Sequence, residues 1–379
     1  MALISYLTEI HFGFGEVATL KNELRRLNVF FPMVITDKGI RECGLFDRIS
    51  QHLPALHQKQ IFDNTLSNPT QATVREATAQ FRNEKFDGIV AVGGGSPIDL
   101  AKAVALMGTH PGSLDEYSSI NKDCRKIGAS VAPVIAVGTT AGTGSEVGRA
   151  AVIIMEDGYK LPIVSPHLIP KSAICDPELT LGMPSSLTSG TGMDAISHCI
   201  ETFLSPRINP PAEAIALSGL ARGVKYIARA CDEGTDKKAR WHMMMTSIEG
   251  GLTFQKGLGA VHAMSHPLGA LHKPFLHHGT LNGLLLPFVL RFNREFVGDK
   301  YRQICKVLEI PANSDLPKFF HTLNIRLNLP GSLKELNVPE DLLATLARAA
   351  MYDPNSQTNP RPVDAEAYLT LFREAYEGF

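Results

Sequence analysis

The stretch GIVAVGGGSPIDLAK, residues 88–102, constrains the fold more than any other part of this 379-residue chain. Its unbroken apolar start suits a strand buried on both faces, the environment of a parallel sheet. Gly93, Gly94 and Gly95 then permit backbone conformations and close approaches that a Cβ would block. Ser96 fits a helix N-cap, and Pro97 fits the first helical position, where a missing N–H costs nothing. Asp99, three residues past Ser96, completes a capping-box-like start. A helix N-terminus with free amides beside a bare backbone favours a phosphate group. The stretch is neither the GxGxxG fingerprint, since position 98 is Ile, nor a Walker loop, since no Gly-Lys-Ser/Thr follows.

Comparable apolar runs occur at FFPMVITD (30–37) and PVIAVGTT (133–140), with a helix-like segment, ATVREATAQFRN (72–83), in between. Alternation of this kind predicts an α/β layer fold. AAVIIMEDGYKLPIVS (150–165) reads instead as a hairpin around Asp157-Gly158. Past DPELTLGMP (176–184) the strand signals fade and helical patterns take over at 187–204, 211–230, 236–256 and 279–294. The length suits two domains. We therefore predict an α/β nucleotide-binding domain over 1–183 and an all-helical domain over 184–379.

A net charge of −1 leaves no electrostatic footprint for nucleic acid or an anionic membrane surface. No run of eighteen apolar residues predicts a membrane span, and the N-terminus lacks the pattern of a signal peptide. The six cysteines are scattered without a CxxC pair, which fits a reducing cytoplasm better than a disulfide framework.

A second polar loop, GTTAGTGSEVGR (138–149), also follows an apolar strand and offers Thr139, Thr140, Thr143 and Ser145 near a strand end, where such sheets bind ligands. No acid stands some twenty residues after the first glycine loop to hold a ribose. Asp37, at the end of VITD, is the better candidate, which implies a strand order unlike the usual dinucleotide fold.

In the helical half, GMDAISHCIE (192–201) sets Asp194 and His198 four residues apart, on one helix face. His262 and His266 repeat that spacing, and His277 and His278 follow. A carboxylate with several imidazoles suits a divalent metal, Zn²⁺ or Fe²⁺. There is no HExxH, so a zinc protease would lack its general base. Glu201 reads as solvent-facing.

The ordered set GGGSPIDLAK, TTAGTGSEV, GMDAISHCIE, HAMSHPLGA and HHG closely resembles the iron-containing (group III) alcohol dehydrogenases, from about residue 10 to TNPRPVDAEAYLTLF near the C-terminus. Residues 197–223 and 254–269 are most similar to the 4-hydroxybutyrate dehydrogenases of that family. The resemblance implies a dehydroquinate synthase-like fold, NAD(P) and one metal ion in a cleft between the domains, and often a dimer. It implies Asp194, His198, His262 and His278 as metal ligands and His266 as a neighbour of nicotinamide and substrate. His278 is chosen over His277 because it directly precedes the glycine. For the dinucleotide it carries over Asp37, Asn68, Gly94, Gly95, Ser96, Asp99, Thr139, Thr140, Thr143 and Lys160; by itself, Lys160 reads as a surface residue. Asp37 would repel a 2′-phosphate, so NAD is expected over NADP.

The expected activity is metal-dependent, NAD-linked oxidation of a small alcohol or reduction of its aldehyde, with 4-hydroxybutyrate and succinic semialdehyde first among substrates. His266 is the expected proton relay. Arg149, Lys256, His272 and Lys273 are candidates to hold a substrate carboxylate. The rivals are a broader small-alcohol or lactaldehyde-type reductase and a metal-dependent lyase of the dehydroquinate-synthase type. A lyase of that type acts on an anionic substrate and would call for Lys and Arg around the metal helices, and 187–204 holds none. The N-terminal LISYLTEIHFGFG offers a strand that a second copy could pair with in a homodimer.

Overall fold

The structure is a computed structural model of the chain and describes residues 4, 6, 8–118, 124–271 and 273–379. Among the described residues eight strands follow in chain order: β1 (Glu9–Phe12), β2 (Pro32–Ile35), β3 (Ile61–Phe62), β4 (Gly88–Gly93), β5 (Val134–Gly138), β6 (Ala150–Ile154), β7 (Lys160–Val164) and β8 (Ser172–Cys175). Six form one sheet in the order β1-β8-β5-β4-β2-β3, parallel throughout. Strands β2, β4, β5 and β8 are buried at every position, which is why their sequences do not alternate. Successive side chains of β4 enter opposite cores: Ile89 and Ala91 pack with Val74, Phe81 and Val104, while Val90 and Val92 pack with Leu20, Phe46 and Ile49. Strands β6 and β7 form the expected antiparallel hairpin, with Gly158 at φ 84 in its turn.

From β2 the chain continues to β3 on one side, and from β4 to β5 on the other. The carboxyl ends of β2 and β4 therefore flank the point where strand order reverses, the place at which open α/β sheets bind ligands. Asp37 follows β2, and the three glycines close β4.

The chain divides into two compact units, one of residues 6–140 and 144–181 and the other of 182–379 with 141–143. In the second unit the Ser185–Leu204 helix is the hub, buried at every residue from Thr188 to Leu204. Small residues let its neighbours approach closely. A Cβ on Gly192 would meet Ile227 Cδ1 at 2.7 Å, and one on Gly279 would overlap the Gly190 carbonyl. That last contact seats the start of the His278–Asn293 helix one turn from Asp194. No helix among the described residues is long and apolar enough to cross a membrane.

Candidate active site

In the α/β unit Asp37, Gly93, Gly94, Thr139 and Thr140 lie at the ends of the neighbouring strands β2, β4 and β5. A Cβ on Gly93, at φ 149, would lie 2.6 Å from the Pro97 ring and 3.4 Å from Asp37 Oδ2; one on Gly94 would lie 3.1 Å from Thr140 Oγ1. The Thr139 amide donates to Gly93 O at 3.0 Å, and among the described residues the buried Thr139 hydroxyl has no hydrogen-bond partner. Lys160 Nζ donates to Asn68 Oδ1 at 2.9 Å, joining two residues 92 apart in sequence. Asp37 caps the Lys38–Glu42 helix through Ile40 N at 2.9 Å. Burial raises its carboxyl pKa, partly opposed by the amides of Ile40 and Gly39.

Two local expectations need correction. The Gly95–Thr109 helix begins two residues earlier than predicted, with Gly94, not Ser96, as its N-cap and no side chain capping it. The Ser96 hydroxyl instead donates to Ser67 O at 2.5 Å. The first-turn amides are therefore uncapped, which strengthens the helix start as an anion site. Asp99 forms no capping box; its oxygens accept from Ser145 Oγ and from Val152 N at 3.1 Å. Beside it the fully buried Lys102 ammonium reaches Ser145 O, Ser145 Oγ, Gly148 O and Ala150 O at 2.7–3.0 Å. Burial lowers Lys102 to about 8 against the pull of Asp99 and Glu146. Asp99 and Lys102 thus hold the second polar loop in shape. Thr143 belongs to the helical unit, next to Gly142, where a Cβ would strike Thr191 at 2.7 Å.

In the helical unit three imidazoles converge on one carboxylate oxygen. His198 Nε2, His262 Nε2 and His278 Nε2 lie 3.4, 3.6 and 3.9 Å from Asp194 Oδ1. Ligand atoms about 2.0–2.1 Å from one tetrahedral ion stand roughly 3.4 Å apart; those of Asp194, His262 and His278 all lie within 4.8 Å of one another and could hold a divalent metal, with His198 Nε2 beside the same Asp194 oxygen. Asp194, His198 and His262 are buried, and His278 is partly open. Burial would raise the Asp194 carboxyl, but His198, His262 and His278 hold it far below the usual range. Burial pulls His198 down to about 4 despite Asp194, which favours the neutral imidazole. Burial also acts to lower His262, but Asp194 and Glu201 outweigh it and raise the ring to about 9.

His277 and His278 face different partners. His277 Nδ1 accepts from Thr280 N at 3.3 Å and caps the helix, while His278, the first residue of that helix, turns toward Asp194. Glu201 is not solvent-facing. It is 5% exposed, accepts from Val261 N at 2.7 Å and binds His262 Nδ1 at 2.5 Å. Its place seven residues after Asp194, two helical turns on, was the available signal. Asn282, fully buried one turn after His278, donates to Asp194 Oδ1 at 2.7 Å, and among the described residues its Oδ1 has no hydrogen-bond partner. His266 Nδ1 meets Asp353 Oδ2 at 2.7 Å, and its ring stacks on His278 with centroids 5.5 Å apart.

Of the candidate carboxylate binders, Lys256 is fully buried and paired with Glu213 Oε1 at 2.5 Å, so it is not available to substrate. Lys273 is exposed, Arg149 is half-buried, and His272 lies outside the described residues.

Known proteins are similar to this chain from end to end. The sequence profile of the iron-containing alcohol dehydrogenases matches residues 8–177, and that of the Fe-containing alcohol dehydrogenase family, C-terminal, matches residues 188–376. The 4-hydroxybutyrate dehydrogenase of Cupriavidus necator is 48% identical over 382 residues, covering 99% of this chain and 100% of that protein. A crystal structure of 1,3-propanediol oxidoreductase aligns with a TM-score of 0.89 at 32% identity, over 99% of this chain and 100% of that one. Sulfoacetaldehyde reductase from Bifidobacterium kashiwanohense, solved in complex with NAD+, aligns with a TM-score of 0.88 at 28% identity, over 99% and 98%. Profile matches across both units and full-length relatives establish that this chain is an oxidoreductase belonging to the iron-containing alcohol dehydrogenase family.

Proposed function

We propose that this chain interconverts 4-hydroxybutyrate and succinic semialdehyde with NAD, using one divalent metal held by Asp194, His198, His262 and His278. The observation that carries this reading is the convergence of three imidazole nitrogens on one Asp194 oxygen, in a chain 48% identical to a 4-hydroxybutyrate dehydrogenase. Fe²⁺ and Zn²⁺ both suit an Asp/His₃ set.

When bound, the metal supplies Lewis acidity toward the substrate oxygen, and NAD supplies the hydride acceptor. The chain's own residues bind, orient and move the proton. The uncapped amides at Gly95 and Ser96, with Gly94, Thr139 and Thr140, receive the diphosphate. Asp37 accepts from the adenosine ribose hydroxyls and disfavours a 2′-phosphate. Asn68 and Lys160 act as a pair on the same cofactor, Asp99 acts through the Ser145 loop, and Thr143 completes the set. His266 takes the alcohol proton at Nε2, since Nδ1 is engaged by Asp353. Arg149 and Lys273 are the candidates for the substrate carboxylate.

A second reading, a reductase of broader small-aldehyde specificity, draws on the engagement of Lys256 by Glu213. A homodimer belongs to the same proposal: among the described residues β1 stands at one end of the sheet order. So does a reducing, cytoplasmic setting, which suits the free cysteines of the described residues.

The test is to measure the metal content of the purified protein and follow NADH absorbance with succinic semialdehyde, lactaldehyde and simple aldehydes. Preference for succinic semialdehyde is expected. Equal rates across the panel favour the second reading, and no NADH consumption by the metal-loaded protein overturns both.

A further inference from the structure

We infer that Asp353 is a positioning residue that fixes the tautomer of His266, and the inference rests on the proton-relay reading of His266 given above. Asp353 lies 87 residues beyond His266, at the N-cap of the Pro354–Thr358 turn, and is 6% exposed. Its two oxygens are divided. Oδ1 accepts from Asn355 N at 2.8 Å and shapes the turn, while Oδ2 faces His266 Nδ1 at 2.7 Å. An ionised carboxylate only accepts, so the proton on a neutral His266 must sit on Nδ1, leaving the Nε2 lone pair as the acceptor.

The turn that carries Asp353 is itself anchored to the helix that carries His266. Thr358 Oγ1 donates to Leu258 O at 2.6 Å, and Asn359 Oδ1 accepts from Ala260 N at 3.1 Å, at the start of the Ala260–Gly269 helix. Asn359 Nδ2 donates to Asn293 Oδ1 at 2.8 Å, and Ser356 Oγ meets Tyr368 Oη at 2.6 Å. Asp353 is thereby set at a defined height along that helix, opposite the ring that stacks on His278. A carboxylate held at Nδ1 fixes the ring and keeps Nε2 available as the acceptor, as an acid does behind a general-base histidine.

The test is a double-substitution cycle in turnover, with the tautomer read by ¹⁵N NMR on the zinc-loaded protein. D353N keeps one acceptor for the turn but no longer holds the proton on Nδ1. It is expected to lower kcat by about 10- to 100-fold, with KM and metal content little changed, and to exchange the shifts of the two His266 nitrogens. In an H266A background the same substitution is expected to cost nothing further. D353S retains a good N-cap for the turn, so it should keep the melting temperature and still lose the same turnover; it carries the test if D353N does not fold. Equal losses from D353N with and without His266 would mean that Asp353 only braces the turn, and the inference would be overturned. Full turnover in H266A would overturn the relay reading and this inference with it. Loss in H266A but none in D353N or D353S would overturn this inference alone.

Discussion

His262 binds Glu201 through Nδ1 at 2.5 Å and turns its Nε2 toward Asp194, so one buried imidazole joins two carboxylates from a single helix. Glu201 sets the ring orientation and raises its basicity. E201Q is expected to weaken metal binding by about 10- to 100-fold, whereas H262A removes a ligand and should abolish both bound metal and turnover. Chelator competition on the two variants measures the difference, and an E201Q protein that holds metal as tightly as the parent would contradict the role of Glu201.

The neighbouring histidines should separate in the same assay. H278A is expected to lose metal. H277A should keep it and lose only a helix cap, about 1 kcal/mol of stability. Metal analysis with thermal melts reads both, and the reverse pattern would reassign the ligand.

Metal uptake should depend on pH through His262. Its pKa in the metal-free chain is raised to about 9 by Asp194 and Glu201 against burial. A proton must leave Nε2 before a metal can bind there, so uptake releases a proton below that value. Affinity is then expected to fall about tenfold per pH unit as pH drops below 9. His198, lowered to about 4, is already neutral and adds no slope near neutrality. Calorimetry in buffers of differing ionisation enthalpy counts the protons; none released at pH 7 would contradict the raised value.

Cofactor choice should lie with Asp37. D37N keeps the cap on Ile40 N and removes the charge. The ratio of kcat/KM for NAD over NADP is expected to drop by about tenfold, roughly 1.4 kcal/mol. An unchanged ratio would place the discrimination elsewhere.

Most of the fold was legible because its signals are local. Unbroken apolar runs marked β2, β4 and β5, the Asp157-Gly158 pair marked the hairpin, and 3.6-residue periodicity marked the long helices. The start of the Gly95–Thr109 helix was misread for an equally physical reason. Ser96 and Asp99 have the chemistry of caps, but Ser67 and Ser145 offered them tertiary partners instead.

What the sequence determined by itself was each residue's reach: Asp194 and His198 share a helix face because four residues make about one turn, and so do His262 and His266. Tertiary structure alone decided which reaches coincide. The close approach of Gly190 and Gly279 brings His278 to Asp194 and leaves His277 to cap a helix. Glu201 became the partner of His262, and Asp353 that of His266 from 87 residues away. Local sequence sets spacing along an element, whereas contacts between elements depend on how their surfaces pack, and no single stretch of chain encodes that.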